Sequence, residues 1–576
     1  MRHPIDMTVN NAPNPFSAIA YHHPKAWDTA FEPMALPDMF AASAKRAPDA
    51  VLAHFMGRGF TYGSLYADAH RFALALRRRG IMAGDRIGLF LPNVPMYISA
   101  YYGAMMAGAV VVNFSPLYSV EELAQQVADS GTKMLVTIDV PELYRTAEDV
   151  LDCSALESLI IGRLSGMLPT VKGLAMKLLA RSKIAKVSYS DAVLGWNDVL
   201  SQGEAPQQSG GKHADLPSID PDDLALLQYT GGTTGAPKGA MLSHSNLSIN
   251  AQQVASINPF GRPQDEVFVG ALPFFHVFAN TALLNHAVVS GGSIAMVPRF
   301  EAAQVLDVVG KYGATGFPGV PTMFQALIDH PKFAATDFSA LKVCISGGAP
   351  ISAPLREKFE AKTGVRVVEG YGLTESSGVV SANPYDGVRK PGTIGQVVPG
   401  TLIRLVDKDD ASKAAPDGEP GELVIRGPQI MGGYWNRPEA AATAFVIIDG
   451  QSWLRTGDIA VIDDEGFITI VDRSKDMIAV GGFKVFPSQV EAVLVKHDGV
   501  KEALVLGMPD DYLGETPHAF VTLNEGAKET AEALTGWLNG RIGKHERVTH
   551  MEIRDELPKT MIGKLDRKAL RAEIQA

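Results

Sequence analysis

The chain of 576 residues is too long for a single hydrophobic core, so two or more domains are expected. With 46% hydrophobic and 20% charged residues, its composition excludes a disordered chain and a coiled coil. The formal net charge of −11 disfavours nucleic acid as a partner, because an acidic chain repels phosphate backbones. Cys153 and Cys344 are the only cysteines in the sequence, which indicates a reducing compartment without a disulfide framework.

The N-terminal part of the chain contains a segment that could be mistaken for a membrane span. Residues 87–119 include no charged side chain and are long enough to cross a bilayer. Their prolines, glycines and asparagines are spaced for a strand, a turn, a helix and a strand, which favours a buried α/β segment. We therefore predict a strand at 86–92, a helix at 96–108 and a strand at 110–114. Residues 1–10 carry no secretory signal, so we expect a cytoplasmic protein.

Short apolar runs alternate with helical patterns through the middle of the chain, which indicates parallel α/β layers. Residues 224–230 predict a strand that leads into a glycine-rich turn, and residues 245–256 predict the helix that follows. Strand, helix and strand recur at 341–346, 351–363 and 365–369. Beyond about residue 399, short strands and tight turns indicate antiparallel hairpins. The segment from residue 476 onward mixes helix and strand and is large enough to fold alone.

The strongest motif of the sequence is Tyr229-Thr-Gly-Gly-Thr-Thr-Gly-Ala-Pro-Lys238-Gly239. Its glycines let backbone N–H groups point inward, and its threonines and lysine supply further donors, so the loop is suited to cradle phosphates. Pro237 and Gly239 flank the lysine, which is incompatible with a Walker loop, and the dinucleotide pattern G-x-G-x-x-G is also not matched. A flexible linker is the alternative interpretation.

This loop resembles the phosphate-binding signature of the adenylate-forming superfamily, and four further segments resemble motifs of that family in the same order. They are Gly370-Tyr-Gly-Leu-Thr-Glu375, Leu454-Arg-Thr-Gly-Asp458, Asp472-Arg-Ser-Lys-Asp476 and Pro558-Lys-Thr-Met-Ile-Gly-Lys564. The resemblance spans residues 36–570. Residues 453–475 and 113–118 are most similar to the bacterial long-chain fatty-acid–CoA ligases of this superfamily, also called fatty acyl-CoA synthetases.

The resemblance implies an α/β fold with a large and a small domain. The large N-terminal domain would contain two layered α/β subdomains and a small β-barrel-like subdomain, and a small mobile α+β domain would follow it. The implied boundaries are an N-terminal extension at 1–36, an AMP-binding and acyl-binding domain at 37–472, a hinge at 473–475 that includes Lys475, and the C-terminal mobile domain at 476–576.

The resemblance also implies an activity, namely ATP-dependent ligation of a long-chain fatty acid to coenzyme A with Mg²⁺ as cofactor. A carboxylate attacks the α-phosphate of ATP and displaces pyrophosphate, and the resulting acyl-adenylate then reacts with the thiol and releases AMP. Because two anions must meet, catalysis depends mainly on positioning and charge neutralisation. The alternatives are a CoA ligase for an aryl or medium-chain acid, a fatty acyl-AMP ligase, and, from another class, a non-catalytic fatty-acid-binding protein.

The same resemblance assigns roles to individual residues of this sequence. The catalytic residues would be Lys564, Glu375, Thr374 and Lys238, with Glu375 and Thr230 also binding Mg²⁺. The nucleotide-binding residues would be Thr230, Gly231, Gly232, Thr233, Thr234, Gly235, Gly348, Ala349, Gly370, Tyr371, Gly372, Asp458 and Arg473. Gly481, Gly482 and Phe483 would bind coenzyme A. The acyl chain would contact His276, Val277, Phe278, Gly319 and Val320.

Residues 158–190 contain no acidic side chain but six basic ones, interleaved with valine and leucine. This pattern predicts a basic amphipathic helix, which would suit peripheral contact of residues 160–187 with the inner face of the cytoplasmic membrane. A solvated charged face on a soluble helix is the alternative. A homodimer is also compatible with the sequence.

Overall fold

The computed structural model describes residues 16, 19–204, 215–230, 237–408, 410–416, 418–480, 483–510, 512–560 and 563–575. The strands in these ranges are β1 Val51–Phe55, β2 Arg58–Thr61, β3 Arg86–Phe90, β4 Val110–Phe114, β5 Thr132–Ile138, β6 Ser158–Gly162, β7 Val193–Gly195, β8 Leu224–Thr230, β9 Lys238–Ser243, β10 Val267–Gly270, β11 Ser293–Met296, β12 Gly316–Gly319, β13 Val343–Ser346, β14 Val367–Tyr371, β15 Ser381–Ala382, β16 Gln396–Val397, β17 Leu402–Val406, β18 Gly421–Arg426, β19 Phe445–Ile448, β20 Gln451–Ile462, β21 Ile468–Arg473, β22 Ile478–Val480, β23 Phe483–Val485, β24 Val500–Asp510, β25 Gly514–Leu523 and β26 His550–Ile553.

The α-helices in the same ranges are α1 Leu36–Arg46, α2 Tyr62–Arg78, α3 Pro95–Met106, α4 Val120–Ser130, α5 Pro141–Cys153, α6 Leu164–Met167, α7 Thr170–Leu179, α8 Trp196–Glu204, α9 His244–Ser256, α10 Val277–Ala279, α11 His286–Ser290, α12 Ala302–Tyr312, α13 Pro321–Asp329, α14 Ala353–Thr363, α15 Pro438–Ala444, α16 Pro487–Leu494, α17 Ala531–Asn539 and α18 Arg567–Gln575. A π-helical turn, Asn280–Asn285, joins α10 to α11.

Two parallel sheets form the layers of the large domain. One has the strand order β7-β6-β5-β3-β4-β8-β9, in which β9 at the edge is antiparallel to β8. The other has the order β16-β15-β14-β13-β12-β10-β11-β1-β2, in which β14 to β1 are parallel and β15, β16 and β2 are antiparallel additions. In such sheets ligands bind beyond the carboxyl ends of the strands, so this edge is where a site is expected.

Helix α3 explains why residues 87–119 lack charge, since all of its residues are buried within the large domain. Three tyrosines of this helix are fully buried, and their hydroxyl groups find partners inside the protein. Tyr97 donates to Asn113 at 2.7 Å, and Tyr102 donates to Asn285 at 2.8 Å. Buried hydroxyl groups are tolerated because they are paired in this way. No helix in the described ranges is long and apolar enough to cross a bilayer.

Two smaller sheets follow along the chain. The third sheet is antiparallel, with the order β17-β18-β20-β19 and with β21 paired to the second half of β20. The C-terminal sheet has the order β23-β22-β25-β24, and β26 runs parallel to β25. The main core extends from Trp27 to Ile468, and separate apolar clusters begin at Ile478. The boundary between these cores falls between Ile468 and Ile478, and the hinge at 473–475 stays a prediction.

The predicted strands at 110–114 and 224–230 coincide with β4 and β8, and the other predicted elements differ from the observed ones by a few residues at their ends. The helix predicted to follow the glycine-rich turn is present as α9, but the sequence analysis did not predict β9, which lies between the turn and α9. The segment is a strand because its backbone pairs with β8 on one side and with residues 432–435 on the other. Ser243 at the end of β9 then caps α9 by accepting from the Asn246 N–H.

Candidate active site

A cavity of about 1780 Å³ lies at the carboxyl edge of the second sheet. Its walls come from the β8–β9 hairpin, from the segments after β12, β13 and β14, from the third sheet and from the C-terminal segment near residue 564. The residues proposed from the sequence that line it are Thr230, Lys238, His276, Val277, Phe278, Val320, Gly348, Ala349, Gly370, Tyr371, Gly372, Thr374, Glu375, Asp458, Arg473, Lys475 and Lys564. The tertiary structure therefore brings together residues from all five motifs.

The two ends of the proposed phosphate-binding motif lie on β8 and β9, which pair as antiparallel strands. Thr230 and Lys238 are paired across the antiparallel ladder, so both emerge at the same end of the two strands. Gly231, Gly232, Thr233, Thr234 and Gly235 lie outside the described residues. The hairpin thus fixes the two ends of the proposed phosphate loop beside the cavity.

Glu375 and Lys238 meet at Tyr434, a residue that the sequence interpretation missed. The Tyr434 hydroxyl donates to Glu375 Oε1 at 2.6 Å, and Lys238 Nζ lies 5.3 Å from the centre of the Tyr434 ring. Burial, followed by the negative charge of Glu375, raises the pKa of Tyr434, so its hydroxyl stays protonated as a donor. Glu375 lines the cavity, and Tyr434 holds one of its two carboxylate oxygens.

Asp458 lies opposite, at the bend of β20. Its side chain is 4% exposed, and it accepts a hydrogen bond from the Tyr371 hydroxyl at 2.5 Å while Arg473 Nε lies 3.2 Å from Oδ1. Burial raises the pKa of Asp458, and the adjacent Arg473 opposes that effect. A carboxylate offers about four acceptor positions, so Asp458 retains capacity for two hydroxyl groups of a ligand.

Lys564 enters the cavity from the C-terminal domain and lies against Gly348. Gly348 has a φ of +81°, a backbone conformation that favours glycine, and a Cβ atom added there would lie 2.6 Å from Lys564 Cε, so a side chain at this position would displace the lysine. The Lys564 N–H donates to Thr560 Oγ1 at 3.1 Å, which holds the turn that carries the lysine. Burial, and then repulsion by Arg473, lowers the pKa of Lys564 to about 8.

The proposed acyl-binding residues lie at the mouth of the apolar part of the cavity. The Phe278 ring covers Gly347, where an added Cβ would lie 2.8 Å from the ring. His276 Nδ1 accepts from the Phe278 N–H at 3.2 Å, which leaves the proton of the neutral imidazole on Nε2. Burial, and then the charge of Lys564, lowers the pKa of His276 to about 3. Val320 follows β12 and lines the cavity, whereas Gly319, the last residue of β12, is packed against Phe317 and Phe324.

Comparison with known proteins agrees with this geometry. The family model described as AMP-binding enzyme matches residues 40–435, and the model described as AMP-binding enzyme C-terminal domain matches residues 489–564. The chain belongs to the AMP-binding enzyme family. This confirms the superfamily predicted from the five motifs.

Several relatives of this AMP-binding enzyme are named long-chain-fatty-acid–CoA ligase. The long-chain-fatty-acid–CoA ligase of Bacillus subtilis (strain 168) is 37% identical over 539 residues, which cover 93% of this chain and 94% of the relative. That of Escherichia coli O6:H1 is 39% identical over 545 residues, with the same coverage. The crystal structure of ATP-bound MatB from Rhodopseudomonas palustris is similar with a TM-score of 0.79, at 28% identity over 94% of this chain and 99% of that one. The predicted fold class is confirmed.

The structure describes part of the predicted hinge and part of the predicted coenzyme A-binding segment. Lys475 lies in the 3-10 turn Ser474–Asp476 between the two domains, and it lines the cavity. Across this junction, Asp472 accepts from the Ser488 N–H at 2.8 Å, whereas the pair of Arg567 Nη2 with Glu491 at 2.6 Å lies within the C-terminal domain. Gly481 and Gly482 lie outside the described residues, and Phe483 begins β23.

The family implies a magnesium site, and the residues of the cavity can be compared with the ligands that Mg²⁺ prefers. No group of three or more His, Cys, Asp or Glu side chains suited to a metal ion occurs in the part of the chain that the structure describes. Mg²⁺ commonly binds through one or two carboxylates together with substrate phosphates and water. Glu375, which lines the cavity together with Lys238 and has one oxygen held by Tyr434, fits such a site.

Proposed function

We propose that this AMP-binding enzyme is an ATP-dependent long-chain fatty-acid–CoA ligase that acts through an acyl-adenylate. The observation that carries the proposal is the position of Lys564. Its ammonium group, supplied by the C-terminal domain, lies in the same cavity as Asp458, Glu375 and the Thr230–Lys238 hairpin end. The full-length similarity to long-chain-fatty-acid–CoA ligases supports the choice of acid and acceptor.

In the first half-reaction, two anions must approach each other, so the protein residues would mainly supply positive charge and hydrogen-bond donors. Asp458 would accept the ribose hydroxyls, and Tyr371 with the turn at Gly348 and Ala349 would flank the adenine. Lys238, Thr230 and the glycines and threonines at 231–235 would hold the departing pyrophosphate, and Thr374 would contact the α-phosphate. Mg²⁺ bound by Glu375 and Thr230 would neutralise phosphate charge.

The carboxylate of the acid would meet two donors at the mouth of the apolar cavity. His276 carries its proton on Nε2, which can donate to a carboxylate oxygen, and the Lys564 ammonium would lie between the carboxylate and the α-phosphate. The positive charge of Lys564 interacts with His276, because it contributes to the lowered pKa of the imidazole. The alkyl chain would extend past Phe278, Val277 and Val320 into the cavity.

For the second half-reaction we propose that the C-terminal domain turns about Lys475. Lys564 would leave the site, and Gly481, Gly482 and Phe483 would form part of a passage for the pantetheine arm of coenzyme A. The separate apolar cores on the two sides of residues 473–475 support a rigid-body motion of this kind.

The decisive experiment measures pyrophosphate release with Mg-ATP and saturated fatty acids of graded chain length, with and without coenzyme A. We expect release with long-chain acids, formation of the acyl-CoA thioester, and much weaker activity with an aromatic acid such as benzoate. A preference for benzoate would indicate an aryl-acid ligase instead, and adenylate formation without thioester would indicate an acyl-AMP ligase. If no carboxylic acid in the series yields AMP, the proposal is wrong.

We also propose that α7 contacts an anionic membrane surface. Val171, Leu174, Leu178 and Leu179 are 81%, 57%, 57% and 88% exposed, whereas Gly173 on the opposite side packs against the Ser165 carbonyl. The exposed basic residues Lys172, Lys177, Arg181 and Lys183 surround this apolar face. An exposed apolar stripe with a basic border suits an anionic leaflet, whose charge is opposite to that of the border.

Liposome flotation tests this surface. We expect the protein to float with vesicles of phosphatidylglycerol and phosphatidylcholine, and much less with phosphatidylcholine alone. Replacing Leu174, Leu178 and Leu179 together by serine should abolish flotation. Leu117→Ser is the matched control, because Leu117 is 67% exposed at another place on the surface. Equal flotation of both variants, or none by the unmodified protein, would refute membrane contact through α7.

A further inference from the structure

The far end of the acyl cavity is polar, although an alkyl chain alone would require no polar groups there. The cavity continues from the mouth at His276 along the full length of β12, from Val320 and Pro318 to Gly316 and Thr315. At that far end it is lined by Glu266 and His286, which are both 3% exposed.

Glu266 and His286 approach the cavity from two elements that face each other. Glu266 precedes β10 by one residue, so its side chain and that of Phe268 project from the same face of the strand. The His286 ring, at the start of α11, lies 4.7 Å from the Phe268 ring. The two polar side chains are therefore neighbours on one wall, and Phe268 lies between them and Gly316.

Both side chains keep an unfilled acceptor. His286 Nδ1 lies 3.4 Å from the Ala282 carbonyl, which places the ring proton on Nδ1, and Nε2 is buried without a hydrogen-bond partner among the described residues. Glu266 Oε1 accepts from the Asn258 amide, and Oε2 has no hydrogen bond of normal geometry in the described part of the chain, although the Ser290 hydroxyl lies close enough to lower the pKa of this carboxyl. Buried acceptors of this kind are costly unless a ligand or water pairs with them.

The distance from the mouth to these acceptors fits a fatty acyl chain. From Val320 to Thr315 the strand spans roughly 16 Å, at about 3.3 Å per residue. An extended alkyl chain advances about 1.3 Å for each C–C bond of about 1.5 Å, so a chain of roughly a dozen carbons reaches the far end. A substituent at the ω-carbon of such a chain would lie beside His286 and Glu266.

We propose that this far end is a subsite for the hydroxyl group of an ω-hydroxy fatty acid, with His286 Nε2 and Glu266 as its acceptors. The inference rests on the proposed function and specifies its substrate class. The hydroxyl of the ω-hydroxy acid donates to one of these unfilled acceptors. An unsubstituted fatty acid places a methyl group there instead, which leaves both acceptors unpaired. His286 and Glu266 are thus specificity-determining residues, remote from the reacting atoms.

The test compares ω-hydroxylauric acid with lauric acid, using kcat/KM for pyrophosphate release. The unmodified protein should use the hydroxy acid at least as well as lauric acid. In His286→Leu, kcat/KM for ω-hydroxylauric acid divided by kcat/KM for lauric acid should fall about 10- to 100-fold, because the hydroxyl loses one of its two acceptors. Binding of both acids, measured calorimetrically without ATP, should show the same change in ratio.

Two further variants separate this inference from general damage to the cavity. His286→Gln retains an acceptor and should keep most of the preference, whereas Val254→Ala, on the apolar wall, should change both acids alike. An unmodified protein that strongly disfavours the hydroxy acid, or an unchanged ratio in His286→Leu, would overturn the subsite and leave the proposed ligase intact. Failure to activate either acid or any other fatty acid would overturn both.

Discussion

Among single residues, Lys564 shows most clearly how environment changes chemistry. Its sequence motif predicts a lysine near the C-terminus, but a solvated lysine would titrate near 10.5. Packing against Gly348 removes water from the ammonium group, and Arg473 adds repulsion, so the pKa falls to about 8. The lysine therefore enters the site as a cation that is readily stabilised by the arrival of anionic substrates.

This pKa gives a pH prediction. The ammonium is the form below the pKa, so kcat/KM for pyrophosphate release should decline as the pH rises through about 8. In Lys564→Arg this decline should disappear even if the overall rate is lower, because a guanidinium stays charged in this range. Rates at subsaturating fatty acid, in a pH series on both sides of the lysine pKa, provide the measurement. Identical profiles for the two proteins would contradict the role of the Lys564 charge.

Removing the charge altogether should affect one half-reaction selectively. Lys564→Ala should slow adenylate formation by about 10²- to 10³-fold, the usual loss for one transition-state charge contact. Thioester formation from supplied acyl-adenylate and coenzyme A should be largely preserved. Single-turnover measurements of each step decide this, and equal damage to both steps would exclude the assignment.

Among the elements, the β8–β9 hairpin shows how the phosphate motif is held. Trp435 N donates to the Gly239 carbonyl at 2.8 Å, and Met431 N donates to the Glu375 carbonyl at 2.8 Å. Residues 431–435 therefore attach the hairpin to the segment that carries Glu375, and Tyr434 lies at the centre of this attachment. Its hydroxyl orients a carboxylate that is the proposed metal ligand, and such orienting partners affect metal affinity strongly.

Tyr434→Phe should therefore weaken the apparent affinity for Mg²⁺ by about 10-fold or more, since Glu375 loses its orienting donor. Magnesium titrations of activity and of calorimetric ATP binding are the two measurements. Tyr62→Phe is the matched control, because the Tyr62 hydroxyl is also buried but donates to Ala287 and Gly292 outside the cavity. That control should lower stability without altering the magnesium dependence. The same magnesium response in both variants would be inconsistent with an orienting role for Tyr434.

For the whole molecule, the main feature is that the site is assembled from two bodies with separate cores. Asp458 and Glu375 belong to the large domain, and Lys564 belongs to the small one. The structure places Lys564 in the cavity, which is the arrangement that the proposed adenylation step requires. The proposed thioester step would require a second arrangement, and the short turn at Lys475 is the connection that would change.

Lys475→Pro should therefore impair the thioester step more than the adenylation step, because proline restricts the backbone rotation of the hinge. Lys475→Ala is the control, since it removes the charge but leaves the backbone free. The rates of the two half-reactions, measured separately for each variant, test the idea. If the proline variant forms thioester from supplied acyl-adenylate at an unchanged rate, rotation about Lys475 is not part of the mechanism.

The sequence by itself determined the family, the fold class and most strands and helices, because these depend on local spacing. Glycine, threonine and lysine in a fixed order carry the phosphate motif, and buried strands such as β4 and β8 appear as apolar runs between turns. The sequence also identified Lys564 and Asp458 as candidate site residues. Each residue alone would carry no signal, but each belongs to one of five motifs that occur in the order typical of the family.

Only the tertiary structure decided what depends on contacts between distant segments. Segment β9 is a strand because it pairs with β8 and with residues 432–435. Its six residues are too few to show a clear alternation of apolar and polar side chains in the sequence. Tyr434 was missed because an aromatic residue after two glycines is indistinguishable from a packing residue until its hydroxyl is placed beside Glu375. The polar wall of Glu266 and His286 was likewise invisible, since the two residues are 20 positions apart in the sequence and are brought together only by the packing of α11 on β10.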